Sequence, residues 1–181
     1  VNLQTEKEYM AVIAKCKALF DLKNKDYGAS WRIMRLPSIT DQIYIKANRI
    51  RTLQEKGIAM VADDENGEFV GIINYCVIAL IQAELQTITD ENEQLDLSEL
   101  YNKKIAAAWQ LLSMKNHDYD EAWRSMRVSS ITDIILMKIF RLKQIEDNAG
   151  QTLVSEGVEA NYMDILNYAV FALILKGFHQ S

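Results

Sequence analysis

The chain has 181 residues, 49% of them hydrophobic and 25% charged, the balance of a folded globular protein rather than a disordered one. Seven glycines and one proline are too few for the turns of an all-β fold, and a net charge of −5 supplies no global attraction to nucleic acid. Cys16 and Cys76 lack metal-ligand spacing and read as buried reduced thiols; with no basic-apolar leader and no apolar stretch of bilayer length, a cytoplasmic protein without a membrane partner is expected.

In chain order, a first helix is expected from about Thr5 to Lys23. Thr5 serves as its N-cap, and Glu8, three residues on, completes a capping box. Gly28 suits a left-handed helix end, and a short helical turn holds Trp31. A second helix runs from Ser38, whose hydroxyl can cap free amides, to just before Gly57. The third, about 69–84, is the most apolar, and the polar stretch 87–96 follows it. The pattern then starts again: helices at about 98–114, from Ser130 to near 148–150, and at about 160–176, with Trp123 between the first two.

This recurrence is a duplication. Lys23-Asn24-Lys25-Asp26-Tyr27 returns as Lys115-Asn116-His117-Asp118-Tyr119, and Ser38-Ile39-Thr40-Asp41 as Ser130-Ile131-Thr132-Asp133. Over residues 23–49, 15 of 27 positions are identical at an offset of 92, and Asn74-Tyr75 matches Asn167-Tyr168 after a one-residue insertion. The fold expected is therefore all-α: repeat one at 1–86, a linker at 87–97 and repeat two at 98–181. A three-helix unit of this size does not easily close its own core. The repeats should pack about a pseudo-twofold axis as a bundle of about six long helices, with the third helices central. A homodimer is one further partner to consider.

Three charges interrupt the second helix of each repeat. From Ile131 to Leu142 the helix is apolar almost all round, yet Asp133, Arg141 and Lys138 share one side of its helical wheel, with the lysine against the apolar stripe. Asp41, Lys46 and Arg49 repeat the set. Charges beside a core stripe need partners. They form either an internal salt-bridge network with Asp41 and Asp133, or a grip on an anionic ligand such as phosphate. Residues 23–56 hold eight basic and three acidic residues, a balance of +5 against −10 elsewhere, which concentrates positive charge on the motif.

Asp26 and Asp118 sit where the helix dipole disfavours acids, so each calls for a specific partner, Mg²⁺ or an arginine of the repeat. Trp31 and Trp123 serve as core anchors or as surfaces for a stacked base. Asp164 interrupts an apolar run and offers oxygen to Mg²⁺, whereas repeat one has Gly71 there and Glu68 where repeat two has Asn161. The second half is thus the first place to look for a working site. Two histidines, His117 and His179, are too few for a His-based metal centre, and no Gly-rich phosphate loop or nucleophile elbow is present.

Lys-Asn-x-Asp-Tyr-Gly, then Asp-x-x-x-x-Lys-x-x-Arg, then Asp-x-x-x-Tyr before an apolar helix resembles the nucleotide-modification-associated helical domain of bacterial and phage proteins. The resemblance covers both repeats and implies a link to nucleotide or modified-DNA metabolism. The layout of acids on antiparallel helices is also similar to all-α nucleoside triphosphate pyrophosphatases of the MazG and dimeric dUTPase type, although the first helix has no Glu-x-x-Glu. Two functions follow. One is binding of a nucleotide or other phosphorylated small molecule, with Lys115, Asn116, Trp123, Arg124, Arg127, Lys138, Arg141, Lys46, Arg49 and Arg35 as ligand contacts. Asp118, Asp133 and Asp164 would then hold Mg²⁺ for a phosphohydrolase reaction. The other is a non-catalytic helical scaffold whose charges form structural networks. Nucleic acid is the least favoured partner.

Overall fold

The computed structural model describes residues 2–57, 64–86, 94–149 and 157–181. Most of the expected linker (87–93) and Gly150 lie outside these. Repeat one contains α1 (Leu3–Tyr27), a 3₁₀ turn (Ser30–Ile33), α2 (Leu36–Lys56) and α3 (Asp64–Leu85). Repeat two contains α4 (Leu97–Tyr119), a 3₁₀ turn (Ala122–Ser125), α5 (Val128–Asp147) and α6 (Val158–Leu175), and a last 3₁₀ turn spans Phe178–Gln180.

The helix starts differ from the sequence reading for local reasons. Asn2, not Thr5, caps α1: its side-chain oxygen accepts from the Thr5 amide at 2.8 Å. Thr5 turns its hydroxyl to Glu121 instead, and Glu8 closes no capping box because Arg124 takes its carboxylate at 2.8 Å. Asp96 caps α4 in the same way, accepting from the Glu99 amide at 3.0 Å. Ser38 and Ser130 are not caps. α2 and α5 begin two residues earlier, and the Arg35 and Arg127 carbonyls receive the Ser38 and Ser130 amides at 3.0 Å each. Pro37 fits that first turn because its missing N–H has no partner to lose. α1 and α4 each run a turn beyond expectation, to Tyr27 and Tyr119. Gly57 ends α2 in the left-handed region as the sequence leads one to expect, whereas Gly28 ends α1 at φ +63° and ψ −157°, a positive-φ conformation outside the left-handed helical region expected for it.

The six helices stack as three layers of two. α3 and α6 pack along each other in the middle, α2 and α5 pair on one side, and α1 and α4 lie on the other. Ile72, Ile73, Val77 and Ile81 of α3 and Ile165, Leu166, Val170 and Leu173 of α6 are wholly buried. A helix that is apolar all round belongs at such a centre. Glu65–Leu85 and Val158–Leu175 have the length and hydropathy of membrane-crossing helices, yet two thirds of each is buried within this bundle.

Buried polar groups tie the repeats together by a pseudo-twofold exchange. Asn74 of α3 donates to the Cys16 carbonyl of its own repeat at 3.0 Å and accepts from the Tyr101 hydroxyl of the other at 2.8 Å. Asn167 of α6 donates to the Ala108 carbonyl at 3.0 Å and accepts from the Tyr9 hydroxyl at 2.6 Å. Burial holds both tyrosine hydroxyls far above their ordinary ionisation range, so they remain proton donors. On the opposite layer Thr40 donates to Glu146 at 2.6 Å, and the equivalent Gln54 donates to Thr132 at 3.1 Å. At the rim of that layer Asp41 meets Lys143 at 3.3 Å and Asp133 meets Arg51 at 3.6 Å.

Removing one tyrosine hydroxyl leaves a buried asparagine oxygen without a donor. Tyr9→Phe and Tyr101→Phe are each expected to cost about 1–3 kcal/mol of unfolding free energy in urea denaturation. Glu146 carries a second expectation. Burial, outweighing the hydrogen bonds from Thr40 and Tyr162, raises its carboxyl above the ordinary value of 4.5. The folded chain then holds that proton more tightly than the unfolded chain. The stability it contributes is complete below the unfolded value and is lost as pH rises through the folded one. Glu146→Gln, which copies Gln54, is expected to gain stability relative to the parent as pH climbs from about 4 to 7, read from urea midpoints across that range.

Candidate functional site

Each repeat encloses one cavity where the end of its first helix, its 3₁₀ turn, its second helix and its third helix meet. Every residue lining the second-repeat cavity has its duplicate lining the first. Lys115, Asn116 and Tyr119 of α4 correspond to Lys23, Asn24 and Tyr27 of α1, and Trp123 to Trp31. Lys138 and Tyr168 correspond to Lys46 and Tyr75. The local cause is helical spacing. In Lys-Asn-x-Asp-Tyr the Tyr follows the Lys by four residues and the Asn by three, so the three share one face, and the Asp points off it.

That spacing decides the fate of Asp118. It is 74% exposed and meets the neighbouring His117 at 3.3 Å; among the described residues neither an arginine of the repeat nor the cavity wall reaches it. Asp133 is also exposed and faces Arg51 of the other repeat. Asp164 is buried and held between two lysines, Lys115 at 2.7 Å and Lys138 at 3.0 Å. The three expected Mg²⁺ ligands therefore occupy three separate settings. Among the described residues no three His, Cys, Asp or Glu side chains gather as a metal centre, so these acids do not fit a protein-held Mg²⁺.

Of the expected ligand contacts, Lys115, Asn116, Trp123, Lys138 and Lys46 line the cavities. The arginines do not. Arg124 lies over the Trp123 ring at 4.4 Å and is bound to Glu8, Glu121 and Thr5. Arg49 takes Glu68 at 2.8 Å. Arg141 lines a shallow surface depression with Arg51 and Asp133, and Arg35 and Arg127 occupy exposed cap positions. Tyr27 and Tyr119, which the sequence reading passes over, are 72% and 71% exposed and form an aromatic edge on each cavity. Their i, i+4 relation to the repeated lysine is the signal that marks them.

The charged partners of the second-helix lysines have diverged. In repeat two Lys138 meets Asp164 on the cavity wall. In repeat one Lys46 pairs at 3.6 Å with Glu68, one helical turn before Gly71, and Glu68 does not line the cavity. Trp123 stacks flat on Phe171, with ring centres 4.1 Å apart, where repeat one has Ile78. Gly for Asp and Ile for Phe both remove volume, and the cavities measure about 620 Å³ in repeat one and 330 Å³ in repeat two. The indole N–H groups of Trp31 and Trp123 and the side-chain amide nitrogen of Asn116 are buried without an acceptor among the described residues. Burial, then the Asp164 charge, raises the Tyr168 hydroxyl above its ordinary value and keeps it neutral.

Asp164→Asn leaves the two lysines facing a neutral group. The expected loss is about 1–3 kcal/mol of unfolding free energy, below that of a fully buried pair because Lys115 is partly solvated. Thermal or urea unfolding of the variant checks it.

Residues 23–83 and 115–175 each match the family model described as nucleotide modification associated domain 1. No curated protein and no solved structure matches the chain.

Proposed function

The chain belongs to the nucleotide modification associated domain 1 family, carrying that domain twice, and we propose that it binds an anionic small molecule of the nucleotide class in the cavities formed by its repeats. The observation that carries this reading is the cavity itself. The same positions enclose it in both repeats, and it combines two lysines, a tryptophan and an exposed tyrosine edge.

The chemistry of the lining suits the two ends of a nucleotide. Lysines Lys23 and Lys46 offer point charges to phosphate, and Trp31 and Tyr27 offer apolar rings to a base. A volume of about 620 Å³ lies within the range of small-ligand sites. The proposal stops at binding. Asp118, Asp133 and Asp164 lie apart, and no three described acids gather to hold a metal that would activate water, so the reading makes no use of a phosphohydrolase step. A structural role for the outer charges stands beside binding, since Asp41 and Asp133 pair across the repeats rather than around a ligand.

Calorimetric titration with nucleoside mono-, di- and triphosphates, with and without Mg²⁺, tests the reading. Binding to at least one nucleotide is expected, with Lys46→Met or Trp31→Phe weakening it about tenfold, or 1.4 kcal/mol. Failure of every nucleotide to bind would sink it.

A further inference from the structure

The two cavities share a lining but not a charge. Lys115 and Lys138 close on the Asp164 carboxylate at 2.7 and 3.0 Å, so the anion position of repeat two is already filled by the chain itself. At the duplicate position repeat one has Gly71. A Cβ built there would lie 2.7 Å from Lys46 Cδ and Cε and 3.0 Å from Nζ, so the lysine stem rests directly on the glycine backbone. The charged residues lining this cavity are Lys23 and Lys46, with no carboxylate among the described lining residues. Glu68, the acid that draws Lys46 at 3.6 Å, sits off the cavity wall.

We infer that Asp164 is an internal stand-in for a ligand's phosphate. Repeat two is self-occupied, and the chain takes one phosphate-bearing ligand, in repeat one, with the phosphate held by Lys23 and Lys46 on the cavity wall that Gly71 shares. This rests on the binding reading above and adds to it where the anion goes and how many are held. A phosphate carries up to two negative charges and complements two lysines that lack an acid between them. In repeat two the same lysines are offset by Asp164, and an incoming anion meets a like charge in a smaller space.

Trp31 and Trp123, one on each cavity, make the assignment readable in solution. Proton–nitrogen correlation spectra of the whole chain resolve the indole N–H signals of its three tryptophans, assigned by Trp→Phe variants. Inorganic pyrophosphate in the millimolar range is expected to shift Trp31 and leave Trp123 in place. Gly71→Asp, which copies repeat two, should weaken the Trp31 response at least about tenfold, or 1.4 kcal/mol. Asp164→Gly, or Asp164→Asn should the glycine variant not fold, should bring Trp123 into the titration. A Trp123 shift in the parent chain, no Trp31 shift at all, or an unchanged pattern in both variants overturns the inference. Nucleotides that bind no more tightly than pyrophosphate would count against the nucleotide reading and leave the anion position standing. Nucleotide binding without the predicted exchange between variants would do the reverse.

Discussion

Each repeat places one asparagine in the apolar centre of the bundle and relies on the other repeat to satisfy it. Asn74 accepts from Tyr101 and Asn167 from Tyr9, while each amide donates to a carbonyl of its own repeat's first helix. A buried amide without partners is costly, and these partners exist only when both copies are folded and correctly registered. The exchange therefore ties α1, α3, α4 and α6 together across the two repeats. The Thr40–Glu146 and Gln54–Thr132 pairs repeat the device between α2 and α5.

With that register fixed, the cavities form where each first helix ends. Extending α1 and α4 to Tyr27 and Tyr119 brings the repeated Lys and Asn onto the cavity wall, and each 3₁₀ turn lays its tryptophan beside them. The pseudo-symmetry ends at the chemistry. Repeat two has filled its space with Asp164 and Phe171, whereas repeat one has Gly71 and Ile78 and moves its acid one turn away to Glu68. The repeat-two cavity is the smaller for it, about 330 Å³ against 620 Å³.

Much of this is legible in the residues. The 92-residue offset, the low glycine and proline content and the apolar third helices lead directly to two three-helix units with α3 and α6 central. Of the ten ligand contacts expected from the sequence, Lys115, Asn116, Trp123 and Lys138 share the wall of the second-repeat cavity. The residues whose partners differ from the sequence grouping have a common cause. Asp133 groups with Lys138 and Arg141 in the sequence because they share a helix, but its cation is Arg51, on α2 of the other repeat. Asp164 reads as a metal ligand because it interrupts an apolar run, and the same interruption serves two lysines. Asp164, the residue that points the search for a working site to the second half, is in the structure held by the two lysines of its own cavity.

The sequence by itself thus determined the helices, the duplication and the face on which each charge lies, because helical periodicity is a local property of neighbouring residues. Only the tertiary structure decided which charge meets which. Lys115 and Asp164 are 49 positions apart, Lys46 and Glu68 are 22, and Arg51 and Asp133 belong to different repeats. A side chain's partner depends on which helix packs against it, and that is settled by burying α3 against α6 and satisfying the asparagines within.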